Sequence, residues 1–136
     1  MGKPIGEPVP LPDRKTILVG EDDVFVRMTI AEDLTNAGFH VIQATSGVEA
    51  LRLLRSSVHV DLVSTDIHMP GEVDGIELVR RLPMLRPGLK VIFLSSDAES
   101  GRSAGLGDVW IDKPHRPSDL IQSVNRLLGI PDNDST

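Results

Sequence analysis

The chain predicts an α/β fold, a parallel β-sheet with helices on both faces. Two observations carry that prediction and a third locates the working edge. Apolar, β-branched runs bounded by turn residues or charges recur five times, as strands do. Stretches of helical periodicity separate them, and strict alternation of the two patterns means a parallel sheet with right-handed crossovers. Carboxylates stand where two of the runs stop: TILVG leads into EDD, and VDLVST leads into a single aspartate, Asp66.

The strand runs are Thr16–Val19, Val41–Ala44, Val60–Thr65, Val91–Ser95 and Val109–Ile111. The first helix carries a stripe at Val26, Ile30, Leu34 and Ala37 and ends at Gly38, a usual stop signal. The second opens with the capping-box spacing Ser46-Gly47-Val48-Glu49 and shows Ala50, Leu51 and Leu54 to the core. The third opens with the same spacing at Asp74-Gly75-Ile76-Glu77 and runs toward Arg86, with Pro83 inside it to kink or shorten it. The last has Pro117 near its start, Gly129 just past its end, and a core face of Leu120, Ile121, Val124, Leu127 and Leu128. The segment between the fourth and fifth strands differs. It starts with a capping spacing, Ser96 to Glu99, and then places Gly101, Gly105 and Gly107 within seven residues. Each glycine costs a helix about 1 kcal/mol relative to alanine, which predicts one or two turns there or a mobile loop.

Length and composition bound the rest. The 136 residues suit one domain. Residues 1–14, with four prolines, and residues 131–136 are expected to be flexible tails around a folded 15–130. The net charge is −6 with acids and bases interleaved, so a nucleic-acid partner is not expected. Cysteine is absent, which removes disulfides, thiolate metal sites and cysteine nucleophiles together. The N-terminal stretch reads as neither secretory signal nor membrane anchor, and the apolar runs are strand-sized. A cytoplasmic protein with no membrane partner is the expectation.

In an open parallel sheet the working site lies beyond the carboxyl ends of the strands. Glu21, Asp22 and Asp23 follow the first strand, and Asp66 follows the third. Ser95 and Ser96 end the fourth, and Asp112 and Lys113 follow the fifth. Each residue has an ordinary explanation: Asp23 as a helix N-cap, Asp66 as a turn former before Pro70 and Gly71, Lys113 as a solvated surface lysine. Their coincidence at one edge favours a shared site. Crowded carboxylates repel one another, and a divalent cation removes that cost. Mg²⁺ takes oxygen ligands from one or two carboxylates, waters and phosphate oxygens. Phosphoryl transfer needs mainly positioning and charge neutralisation, and an aspartate can serve as its nucleophile.

With these residues in view, the sequence resembles the receiver domain of bacterial two-component response regulators. The resemblance rests on ILVGEDD, DLVSTDIHMPGEVDGIELVRRL, VIFLSS and WIDKP, in that order. It implies a flavodoxin-like doubly wound sheet of order 2-1-3-4-5. It implies that Glu21 and Asp22 form the acidic pair for Mg²⁺, with Mn²⁺ able to take its place. Asp66 matches the phospho-accepting aspartate, and His68 the position whose backbone carbonyl also binds the metal. Ser95 matches the switch hydroxyl, Trp110 the switch aromatic, and Lys113 the lysine that pairs with the phosphoryl group, before a Pro114 that is often cis. The implied donor is a sensor histidine kinase or a histidine phosphotransfer protein. The implied product is a changed surface read by a downstream protein, with a homodimer allowed. A stand-alone receiver is expected, working as a signalling domain rather than an enzyme.

This sequence departs from the family pattern in four places. The loop MPGEVDG is one residue longer than usual, His115 follows Lys113-Pro114 where an aromatic is common, Gly20 replaces a usual valine, and Ser95 lies a few residues closer to Lys113. Two other readings compete. One is a degenerate receiver that binds partners without phosphorylation. The other is a Mg²⁺-dependent aspartyl phosphohydrolase, in which His68 would occupy the position of the acid–base residue. His40, His59 and His115 show no metal-ligand spacing and are expected at the surface.

Overall fold

The computed structural model describes residues 13–131. Apart from residues 13, 14 and 131, the two expected tails lie outside the described residues. Five parallel strands form one sheet in the order β2-β1-β3-β4-β5. In chain order the elements are β1 (Thr16–Gly20), α1 (Val24–Asn36), β2 (His40–Ala44), α2 (Gly47–Arg55), β3 (Leu62–Thr65), α3 (Gly75–Leu85), β4 (Lys90–Ser95), α4 (Ala98–Ser103), β5 (Val109–Asp112) and α5 (Pro117–Leu128). The predicted fold class and strand order are those observed. No helix among the described residues is long and apolar enough to cross a membrane.

The two-residue period of the strands sorts their side chains between two cores. Ile17, Val19, Leu62, Ile92 and Leu94 face Ile30 and Leu34 of α1 and Leu120 and Val124 of α5. Leu18, Val63, Val91 and Phe93 face Leu51 and Leu54 of α2 and Leu78, Val79 and Leu82 of α3. The three central strands are buried on both faces, which is why they read as unbroken apolar runs.

The helix starts follow their sequence signals. Ser46 accepts from the Glu49 N–H at 3.1 Å, and the Glu49 carboxylate reaches back to the Thr45 N–H at 2.8 Å. Asp74 accepts from the Glu77 N–H at 2.8 Å. Each such cap contributes about 1 kcal/mol. α3 runs through Pro83 to Leu85. Proline removes one N–H within the last turn, and the Arg86 N–H closes that turn on the Leu82 carbonyl at 2.7 Å. β3 begins two residues later than expected. Asp61 there binds β1 instead, its carboxylate accepting from the Thr16 N–H at 2.7 Å.

Arg86 ties α3 to the end of α2. Its guanidinium donates to the carbonyls of Leu54, Ser56 and Val58 at 3.0, 3.0 and 2.7 Å. Those carbonyls have no onward helical partner, so the arginine satisfies what α2 leaves open. Arg86→Ala is expected to cost about 2 kcal/mol in urea unfolding, since charge-assisted bonds to part-buried carbonyls are lost. Arg86→Lys should recover only part of that loss, because an ammonium lacks the planar fork.

Candidate functional site

The parallel ladder carries on past the last strand residues and fixes the site. Gly20 pairs with Thr65 in register, and Ser95 pairs with Asp112. The next residue on each strand is then held by a backbone bond. The Glu21 N–H donates to the Ala44 carbonyl at 3.1 Å, the Asp66 N–H to Gly20 at 3.0 Å, and the Lys113 N–H to Ser95 at 3.1 Å. The acids and the lysine thus come together because four adjacent strands end at one edge of the sheet, β4 and β5 running two residues further than β1 and β3.

Side chains complete the cluster. The Lys113 ammonium donates to a carboxylate oxygen of Glu21 and, at 3.0 Å, to Oδ2 of Asp66. One oxygen each from Glu21, Asp22 and Asp66 lies within 4.8 Å of the others. Asp66 also accepts from the His68 N–H at 3.2 Å. Three carboxylates facing one ammonium leave the pocket with excess negative charge. An all-oxygen set of this size fits a hard divalent cation such as Mg²⁺.

The electrostatics follow from burial and pairing. Burial pushes the Glu21 carboxyl above the usual range, and Lys113 only partly offsets it. Burial acts on Asp66 in the same sense, but hydrogen bonds from Ser95 and Lys113 outweigh it and hold this carboxyl below the usual range. Burial disfavours the Lys113 ammonium, yet the bonds to Glu21 and Asp66 prevail and raise its pKa. Asp66 is therefore a fully ionised group at neutral pH, as a carboxylate nucleophile must be.

The other expected residues take definite places. Asp23 caps α1, accepting from the Phe25 and Val26 N–H groups at 3.0 Å each. Ser95 is fully buried, and its hydroxyl accepts from the Asp97 N–H at 3.2 Å. The imidazole of His68 is turned to Asp97, at 2.6 Å, while its peptide lies beside Asp66. The Lys113-Pro114 bond is cis. Trp110 is half-buried on β5 and donates its indole N–H to the Leu106 carbonyl at 2.8 Å.

Several features were not foreseen. Lys113 serves Glu21 as well as Asp66. Gly20 is explained by its neighbour: a Cβ there would lie 2.8 Å from the Thr65 hydroxyl oxygen, which donates to the Asp66 carbonyl at 2.9 Å. No sequence pattern marked Thr65. Asp97 is a hub, accepting from Ser100 at 2.7 Å as well as meeting His68. His59 is exposed, as expected, but His115 is half-buried. Its buried Nε2 has no hydrogen-bond partner among the described residues and lies beside a cavity of about 460 Å³ between α1 and the loop after β5. The shortness of α1's polar face was also missed: Val24, Phe25 and Met28 are 46, 79 and 58% exposed.

Comparison with known proteins agrees with this geometry. Residues 17–125 match the family model described as response regulator receiver domain. The chain is 34% identical over 122 residues to the response regulator receiver protein CpdR of Brucella abortus, covering 84% of this chain and 97% of that protein. It is 36% identical over 118 residues to the sensor kinase CckA of the same organism, 83% of this chain but only 12% of the kinase. Among solved structures, the response regulator TrrA of Thermotoga maritima in complex with Mg²⁺ and beryllofluoride superposes with a TM-score of 0.76 at 31% identity, over 84% of this chain and 99% of that one. A match that runs from β1 into α5, over a sheet with the same strand order and an acid–lysine cluster at its carboxyl edge, means that the chain belongs to the response regulator receiver domains, the phospho-accepting signalling domains of two-component systems.

Proposed function

We propose that Asp66 is the phospho-acceptor of this receiver, with Glu21, Asp22 and Asp66 holding Mg²⁺ and the His68 carbonyl completing the protein's share of the ligands. The observation that carries this reading is the bridge from Lys113 to both Glu21 and Asp66 beside a third carboxylate. The donor is the phosphohistidine of a sensor histidine kinase or a histidine phosphotransfer protein. A carboxylate oxygen of Asp66 attacks phosphorus, the P–N bond breaks, and the imidazole leaves with the electron pair. Bound Mg²⁺ supplies charge neutralisation at the phosphoryl oxygens, and Mn²⁺ fits the same oxygen donors. Lys113 passes from the carboxylate to a phosphoryl oxygen. Ser95 turns its hydroxyl hydrogen from Asp66 to another phosphoryl oxygen, and Trp110 moves toward the space it leaves. The local charge thereby biases a two-state element. The protein acts in the cytoplasm by contact with a downstream partner or a second copy of itself, taking one phosphoryl group per chain rather than turning over a substrate.

The test is intact-protein mass after incubation with acetyl phosphate, with and without Mg²⁺, on wild type and Asp66→Asn. One Mg²⁺-dependent phosphoryl addition, lost in the variant, is expected. A wild type that stays unmodified would favour a phosphorylation-independent binding module. Steady phosphate release without accumulation would favour a phosphohydrolase.

The His68–Asp97 pair sets a second expectation. It joins the loop after β3 to the start of α4 across the rim of the pocket. Replacing both residues with alanine should shorten the phosphoryl lifetime severalfold by admitting water. Equal lifetimes, followed by mass after donor removal, would deny the pair this role.

A further inference from the structure

The shortened segment between β4 and β5 has one feature that the phospho-acceptor chemistry does not use. The Arg102 guanidinium carbon lies over the Trp110 ring, 5.1 Å from its centroid. The indole N–H is bound to the Leu106 carbonyl at 2.8 Å. Both contacts come from the end of α4 and the turn after it. That turn is itself anchored, because the Leu106 N–H donates to the Gly101 carbonyl at 3.1 Å.

The glycines that weaken this helix are what let it sit there. A Cβ on Gly101 would lie 2.5 Å from the Phe93 ring, so α4 rests directly on that buried side chain. A Cβ on Gly107 would lie 2.8 Å from the same ring and 3.3 Å from the indole nitrogen. The indole is thus packed against the turn with a cation on its face. Among the described residues, the other contact of the Arg102 side chain is long and solvent-exposed, to Glu99 at 3.7 Å, with side chains 60 and 72% exposed. α4 is six residues long, and its N-cap side chain makes no capping hydrogen bond.

We propose that Arg102 is a latch on the resting position of Trp110. An inward move of the indole must give up the stacked guanidinium and the Leu106 carbonyl together. The same move frees Arg102, changing the charge displayed by the end of α4. The latch rests on the phospho-acceptor reading for its trigger. A ligand or side chain can shift a two-state equilibrium only by its differential interaction with the two states. An exposed cation–π contact is accordingly expected to bias the resting state by about two- to fivefold.

The experiment uses Trp110, the single tryptophan of the chain, as its own reporter. Wild type, Arg102→Gln, Arg102→Lys and a control, Arg52→Gln on the exposed side of α2, are titrated with beryllofluoride and Mg²⁺. Indole emission and acrylamide quenching follow Trp110, and fluorine-19 resonance follows bound ligand independently. Far-UV circular dichroism checks that each variant is folded. Arg102→Gln is expected to shift the resting emission toward that of the ligand-bound wild type and to bind beryllofluoride about two- to fivefold more tightly. Arg102→Lys should fall between, and Arg52→Gln should match wild type. Bound beryllofluoride with identical resting emission and affinity in Arg102→Gln overturns the latch alone. Absence of any bound fluorine signal in wild type overturns the phospho-acceptor reading, and the latch with it.

Discussion

Gly75→Ala is expected to lower stability by more than about 3 kcal/mol, as forced overlap in a packed core does, and to impair phosphoryl acceptance in whatever fraction folds. An added Cβ would stand 1.9 Å from the Asp66 carbonyl oxygen and 2.7 Å from the Ile67 Cα. Both are backbone atoms and cannot rotate aside. The Gly75 N–H also donates to the Ile67 carbonyl at 2.7 Å, so this glycine closes the loop from Asp66 back onto the start of α3. Relief of the overlap must move the peptide that carries Asp66. Gly88→Ala is the matched comparison. Its φ is +82° and nothing lies within 4 Å of the added Cβ, so it bears only the left-handed strain of about 1 kcal/mol. Urea unfolding of both variants, with acetyl phosphate labelling at low denaturant, separates the two causes. Equal losses in the two proteins would show that close approach at Gly75 is unimportant.

The second large effect is expected from Lys113→Met. The ammonium is the cation shared by Glu21 and Asp66, whose side chains are 3 and 13% exposed. Removing it leaves two buried carboxylates facing each other. Breaking a buried pair commonly costs 3–5 kcal/mol, and about 3 is expected here because Lys113 keeps 19% of its side chain exposed. The pH dependence follows from the signs. Raised above its ordinary 10.5, the Lys113 pKa contributes stability that is present below that value and lost as pH rises through the folded-state pKa. Asp66, held below its ordinary 3.8, contributes stability present above that value and lost as pH falls through its folded-state pKa. Glu21, raised from 4.5, works the other way, and its ionisation costs stability as pH rises past that point. In Lys113→Met the Asp66 contribution should shrink, since only the bonds from Ser95 and the His68 N–H remain to oppose its burial. The deficit against wild type should therefore be largest at neutral pH and shrink on acidification. Mg²⁺ should restore part of it by neutralising the same carboxylates. Thermal melts from pH 4 to 8, with Mg²⁺ or with chelator, provide the check. A deficit independent of both pH and metal would mean that Lys113 acts through packing.

The sequence and the structure divide the explanation unevenly. The runs of the three central strands were legible because they are buried on both faces and so cannot alternate, and the two edge strands were legible from their β-branched residues and flanking turns. The starts of α2 and α3 were legible because an N-cap residue and its partner three positions on satisfy backbone groups that the helix leaves open. The stripe of α1 was legible as well: Val26, Ile30 and Leu34 meet the core, while Phe25 and Met28 lie exposed. His115 was placed too far out. A single polar residue after Lys113-Pro114 carries no periodicity, and only the approach of α1 to that loop encloses its ring.

By itself the sequence determined that acids, a hydroxyl and a lysine would gather beyond the strand ends, since a parallel sheet puts all its carboxyl ends on one edge. It also determined that the segment around Gly101, Gly105 and Gly107 would hold at most a short helix. Only the tertiary structure decided how those groups pair. Lys113 reaches Glu21 as well as Asp66, Gly20 is bare because Thr65 fills its place, and Asp97 binds His68 across the rim. These contacts join residues far apart in the chain, through strands whose register is set by packing over the whole sheet. Distances of a few ångströms between such residues are fixed by the close-packed core, which no local pattern in the chain records.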